Sequence, residues 1–315
     1  MSTRPGMRAR DLLLGVLVTV VWGANFSVIG VGLRQVEPFL LTTLRFTFSA
    51  LPLILVVPRP RDVPLWGVAA YGGMFGVGLW WVVTLAMHLG LPAGIASLVL
   101  QFAAFFTILG SAWLLGERIG RGQWTGMLLA ATGLVMLIAL SPGHAVLSGI
   151  GLVLLAALAW AGCNLMIKRW RPADMLAFIA WASAFAAPAL LLLGVALEGD
   201  AFWQPLRYGL SGLAWFSVLF QGWVTTVLGY MAWNTLMRRY PAASVAPLSL
   251  LVPVSGLVTA WQVSGERLAS LQWLAIAVIL MGIALFLRPS SGGGQHVMVR
   301  SPPSRRDCSE GDRKP

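Results

Sequence analysis

Long apolar runs separated by short polar breaks set the pattern of this chain. A helix needs roughly 20 predominantly apolar residues to cross ~30 Å of hydrocarbon. Ten stretches qualify: 12–31, 38–57, 65–87, 92–115, 123–141, 147–167, 174–197, 210–236, 241–264 and 270–288. Strands of a membrane barrel would run about ten residues with alternating polarity, and that alternation is missing. The pattern predicts an all-α integral membrane protein with ten transmembrane helices.

The polar punctuation repeats. Pro92-Ala93 returns as Pro241-Ala242, Gly116-Glu117-Arg118 as Gly265-Glu266-Arg267 and Gln123-Trp124 as Gln272-Trp273, each 149 residues later. Gly133 and Gly282 keep the same spacing. Each copy reads as a hydrophobic span, a charged turn and a second span, the signature of a doubled membrane unit. The division expected is a cytoplasmic N-terminus over 1–11, a first five-helix repeat over 12–141, a second over 147–288, and a disordered basic cytoplasmic tail over 289–315, poor in large apolar residues.

Composition agrees with this division. At 58% hydrophobic, 10% charged and a mean hydropathy of +0.80, the chain has too little polar surface for a water-soluble globule of its size. A net charge of +11 would suggest nucleic acid in a soluble protein. Here the basic residues fall between apolar spans and in the tail, where they report topology, so no nucleic-acid partner is expected. One side collects Arg4, Arg8 and Arg10; Arg59 and Arg61; Arg118 and Arg121; Lys168, Arg169 and Arg171; Arg238 and Arg239; and the tail. The other carries only Arg34, Arg207 and Arg267. Both termini are then cytoplasmic. Five helices is an odd number, so the two repeats are inverted, an arrangement that lets related halves exchange conformations around a central site. The first apolar run is longer than the h-region of a signal peptide and is read as a retained helix. The two cysteines, Cys163 in a span and Cys308 in the tail, predict no bridge.

Several motifs carry a resemblance. Trp22-Gly23-Ala24-Asn25-Phe26, Leu44-Arg45-Phe46, the run from Pro92 to Leu98 with Gln101, both Gly-Glu-Arg turns and the run from Pro247 to Val254 resemble EamA-domain transporters of the drug/metabolite transporter superfamily, over residues 11 to 288. Within it, the runs PAGIASLVLQ and PLSLLVPV are most similar to bacterial exporters of O-acetylserine and cysteine. The resemblance implies a secondary transporter of the cell inner membrane that exports small amino-acid-like metabolites by alternating access, as a monomer or homodimer and without a cofactor. Drugs, sugars or purines are the alternative cargo, and a non-transporting membrane enzyme is the remaining alternative reading.

Arg45 is the only charged residue well inside a span. An arginine near mid-membrane costs about 2.5–3.5 kcal/mol on insertion scales. It either faces a cavity, where its guanidinium attracts a substrate carboxylate, or snorkels to the outer headgroups. Asn25 and Asn164 hold near-equivalent places in the first helix of each half, and Gln101 falls near the bilayer midplane. Such amides either line a wet cavity or bridge helices. Among the deep aromatics, Trp81, Trp160 and Tyr230 are the candidate cavity walls. The substrate-binding candidates are therefore Asn25, Arg45, Trp81, Gln101, Trp160, Asn164 and Tyr230. Pro247 and Pro253 mark a bend in the ninth helix, and Gly72 and Gly76 give a GxxxG spacing for close helix approach.

No span holds Asp or Glu in its interior, which disfavours cationic cargo and leaves neutral, zwitterionic or anionic metabolites. Proton coupling would have to use Asp11, Asp174, His88, Glu266 or the substrate itself. His88, His144 and His296 are scattered, with no paired metal spacing, and no nucleophile elbow or phosphate-cradling loop occurs. Neither a metal centre nor an enzyme is indicated.

Overall fold

The computed structural model describes residues 7–115, 119–141, 143–240 and 245–287. Arg4, the Gly116 to Arg118 turn with Glu117, the Pro241-Ala242 landmark, the side chain of Pro247 and the tail from Arg288 onward lie outside the described residues. The described chain is helical. Seven helices are long and apolar enough to cross a membrane: α1 (Ala9–Gly32), α3 (Leu65–His88), α4 (Ala93–Leu114), α5 (Arg121–Ala139), α6 (His144–Trp170), α7 (Met175–Glu198, continuing through two short turns to Tyr208) and α8 (Gly212–Met237). Three shorter apolar helices, α2 (Pro38–Ile54), α9 (Leu248–Ser264) and α10 (Ser270–Phe286), occupy the remaining predicted spans.

The repeated residues perform repeated work. Gln123 and Gln272 each stand at the third position of a helix and accept the N–H of its cap residue, Gly120 or Ala269, at 2.9 Å. This ties down one of the free donors a helix start leaves. Helices α5 and α10 then cross through their small residues. A Cβ on Gly133 would lie 2.8 Å from the amide nitrogen of Ile279 and 2.9 Å from the carbonyl oxygen of Ala275. One on Gly282 would run into the backbone of Ala130 and Gly126. The two helices run antiparallel, since Gly126 meets Phe286 while Gln272 donates to Ser141 Oγ at 3.1 Å.

Glycine also lets α3 approach α7, as the GxxxG spacing predicts. Gly72 lies against the carbonyl of Ala182, and a Cβ on Gly76 would sit 2.6 Å from that of Ala186. Gly73 between them meets nothing within 4 Å. The bend expected from two prolines in the ninth helix takes a different form. Its start is a 3-10 turn, Ala246–Leu250, and Pro253 falls in the first turn of the regular helix that follows, where a missing N–H costs little. A matching 3-10 turn, Leu100–Phe102, interrupts α4 with no proline present. Wide π turns likewise occupy Met74–Trp81 of α3 and Phe220–Leu228 of α8.

The loops gather in two groups. In one, the hydroxyl of Tyr240 donates to Asp11 at 2.6 Å, and Arg239 stands 3.6 Å from the same carboxylate. The link from Asp62 to the amide of Ala173 has the same place in the chain's alternation. In the other, Gln35 pairs with the backbone of Gly209 and Ser211, His88 meets Glu37 at 3.4 Å, and Glu266 reaches the start of α4. That last contact explains the Gly-Glu sequence. Gly265 takes a left-handed conformation, with φ at +65°, that ends α9. The reversal turns Glu266 so that its carboxylate accepts the N–H groups of Ala93 at 2.7 Å and Gly94 at 3.2 Å. A negative charge at a helix start is the favourable sign.

Candidate functional site

A narrow cavity opens within the bundle, lined by side chains from both halves of the chain. Helix α1 supplies Trp22 and Phe26, α2 Arg45, α3 Trp80, and α4 Ser97, Leu100 and Gln101. The second half contributes Trp160 from α6, Thr225 and Tyr230 from α8, and Val252 from α9. The irregular turns shape this wall. The π turn in α8 presents Thr225 and Thr226 inward together, and Thr226 Oγ1 donates to the carbonyl of Gln221 five residues back at 2.8 Å. Wide turns of this kind recur at functional sites. The 3-10 turns bring Gln101 of α4 to Ser249 of α9, whose carbonyl accepts from Gln101 Nε2 at 3.0 Å.

Arg45 is 1% exposed, so it does not reach the headgroups. Its Nε and Nη2 donate to Thr226 Oγ1 at 3.2 and 3.1 Å, and Nη1 points at Gln221 Oε1 at 3.5 Å. The guanidinium carbon stands 3.8 Å from the centre of the Trp80 ring. Stacking on an indole contributes about 0.5–2 kcal/mol, and the hydroxyl and amide oxygens supply dipoles. None of these partners carries a negative charge. A guanidinium has five N–H donors, and these bonds occupy only part of the set.

The aromatic side chains close around this cation. Tyr230 packs on Trp22 with ring centres 5.2 Å apart and on Phe75 at 5.5 Å. Trp22 Nε1 donates to the carbonyl of Thr225 at 3.0 Å.

Of the seven residues singled out from the sequence, Arg45, Gln101, Trp160 and Tyr230 line one cavity. The other three stand elsewhere. Trp81 stacks on Phe39 with ring centres 4.3 Å apart, while its neighbour Trp80 faces the cavity. Successive helical residues point about 100° apart, and here the two rings go to different neighbours, Trp81 to Phe39 and Trp80 to Arg45. Asn164 Nδ2 donates to Thr107 Oγ1 at 3.1 Å, a bridge between α6 and α4. Asn25 is 1% exposed, and neither amide atom finds a hydrogen-bond partner among the described residues. The reading missed the Thr225 and Thr226 pair and Gln221. Their signal was available, since polar Gln221 and the two threonines interrupt an apolar span.

A bundle this apolar, built around a charged and aromatic cavity, has the architecture of a multi-pass membrane carrier. The chain belongs to the EamA-like transporter family, whose model matches residues 10–139 and again 147–288. It is 40% identical over 88% of its length to 94% of a probable amino-acid metabolite efflux pump of Salmonella typhimurium. It is 38% identical, with the same coverage of each chain, to the protein of that description in Escherichia coli K12. A probable terminal-alkyne amino-acid exporter of Streptantibioticus cattleyicolor is 28% identical over 92% of this chain and 97% of that one. A solved crystal structure at 22% identity superposes with a TM-score of 0.61, covering 89% of this chain and 96% of that chain, and supports the fold. The protein is a multi-pass transporter of the bacterial inner membrane.

Proposed function

We propose that the protein exports small amino-acid-like metabolites of the O-acetylserine and cysteine type across the inner membrane, by alternating access around the Arg45 cavity. The observation that carries this reading is a buried guanidinium, held by neutral dipoles alone, lining a cavity between the two halves. A buried cation without a counter-charge is costly, and a substrate carboxylate relieves that cost. The relatives described as amino-acid exporters support the cargo class.

In this reading all ten predicted spans cross the membrane, α2, α9 and α10 included, and the halves are inverted. Both family matches fall on the two halves. Further support comes from α5 and α10, which are equivalent by the 149-residue spacing and cross antiparallel at equivalent glycines. An antiparallel crossing of two equivalent helices is what an inverted repeat requires, and it supports this reading. The two groups of loop contacts alternate along the chain as the Lys and Arg distribution does, which supports cytoplasmic termini. Arg45, Gln101, Trp160 and Tyr230 are the substrate contacts. Asn25 adds a polar group on α1, Asn164 joins helices, and Trp81 packs α3 against α2 through Phe39.

The aromatic lining favours a second cargo, planar apolar compounds, which Trp22, Trp80 and Trp160 could stack. Expression in a host stripped of its own exporters separates the two. Protection against toxic levels of cysteine or O-acetylserine, without protection against aromatic drugs, is the expected outcome. The reverse pattern would replace the metabolite reading.

A further inference from the structure

The cavity offers a partner for a carboxylate and none of matching strength for an ammonium group. Every acidic residue among the described ones stands at a helix end or in a loop: Asp11, Glu37, Asp62, Asp174, Glu198, Asp200 and Glu266. None lines the cavity.

The oxygens there are neutral. Ser97 Oγ donates to the carbonyl of Gly94 at 2.7 Å and Thr225 Oγ1 to that of Gln221 at 2.8 Å, so each hydroxyl spends its proton on the backbone and offers only uncharged lone pairs to the cavity. Gln101 uses its Nε2 on Ser249, which leaves Oε1 as one uncharged acceptor. Aromatic faces attract cations, but Arg45 already stands over the Trp80 ring, and the rings of Trp22, Trp160 and Tyr230 attract a cation without carrying the negative charge that would balance it.

Charge balance sharpens the point. A zwitterion bound here cancels Arg45 with its carboxylate and leaves its own ammonium uncompensated in a medium of low dielectric. A carboxylate whose nitrogen is uncharged leaves the cavity neutral, and unscreened charge is costly there.

We infer that this site, read as the transport site above, recognises the carboxylate and not the amino group. Its cargo class therefore includes N-acylated amino acids and other monocarboxylates lacking a charged nitrogen. Arg45 is the selecting group, and the aromatic walls accept the remainder of the molecule.

The isomers O-acetylserine and N-acetylserine test this, since they share every atom and differ in whether the nitrogen is charged. Purified full-length protein in proteoliposomes would be assayed for counterflow of each labelled isomer, in mildly acidic buffer that prevents acyl migration. The methyl ester of O-acetylserine, which keeps the ammonium and lacks the carboxylate, would serve as unlabelled competitor. The expected result is that N-acetylserine moves at least as fast as O-acetylserine, that the ester competes about tenfold more weakly or worse, and that Arg45→Gln lowers both fluxes alike. Transport of O-acetylserine with N-acetylserine about tenfold slower or worse would overturn this inference and leave the exporter reading intact. Absence of both fluxes in folded protein would overturn both.

Discussion

The seam between α5 and α10 and the central cavity were built from the same duplicated unit and have diverged differently. At the seam the repeat survives in detail. Gly133 and Gly282 occupy equivalent positions, Gln123 and Gln272 cap equivalent helix starts, and each glycine lies against the backbone of the opposite helix. In the cavity it does not. The 149-residue spacing carries Gln101 onto Leu250 and Ser97 onto Ala246, and Arg45 has no charged counterpart inside a span. Close packing depends on shape, which both copies must supply for two equivalent helices to meet. Recognition of an asymmetric substrate requires the two sides to differ.

Substitutions at the two regions should therefore fail in different ways. The largest effect is expected from Gly282→Ala, whose methyl group would meet the backbone of Ala130 and Gly126. Overpacking against rigid backbone costs about 3 kcal/mol or more, so the yield of monodisperse protein should collapse. Gly122→Ala on α5, with nothing within 4 Å of the new atom, should leave that yield unchanged. Equal yields for the two variants would break the comparison at the seam.

Arg45→Gln should do the opposite. Loss of a charge-assisted contact of about 1.5–3 kcal/mol predicts a 10- to 100-fold drop in carboxylate transport, with size-exclusion profile and melting temperature preserved. Gln101→Ala removes a neutral hydrogen-bonding group worth about 1 kcal/mol. Transport should fall roughly fivefold at equal membrane abundance, and a parallel loss of abundance would move Gln101 from the site to the scaffold. The smallest effect is expected at Glu266→Gln, which keeps one acceptor oxygen for the N–H of Ala93 but loses the charge and the longer bond from Gly94. A melting shift equivalent to about 1 kcal/mol or less is predicted, read by thermal unfolding in detergent.

Much of the fold was legible because membrane helices announce themselves by length and apolarity, and because Gly265 and Gln272 have local duties, a helix end and a helix cap, that fix their identities. Arg45 was legible because a lone charge in a span is rare. The irregular turns were not. Nothing local in Met74 to Trp81 demands a π turn, and Leu100 to Phe102 form a 3-10 turn without proline, so both depend on packing between distant helices. Those turns decide which of two adjacent residues faces inward. That is why the sequence does not separate Trp80 from Trp81, whereas Gln221, Thr225 and Thr226 stand out in it as polar residues in an apolar span. Asn164 is a substrate-binding candidate by sequence and a bridge to Thr107 in the structure; that bond crosses 57 residues and cannot be derived from spacing.

The most direct test of the account is efflux of labelled O-acetylserine from proteoliposomes, with wild-type and Arg45→Gln protein reconstituted at equal folded amounts. Saturable efflux by the wild type, lost in Arg45→Gln while both proteins melt at similar temperatures, is the predicted result. Efflux that is equal in the two proteins would contradict the claim that the buried guanidinium forms the transport site.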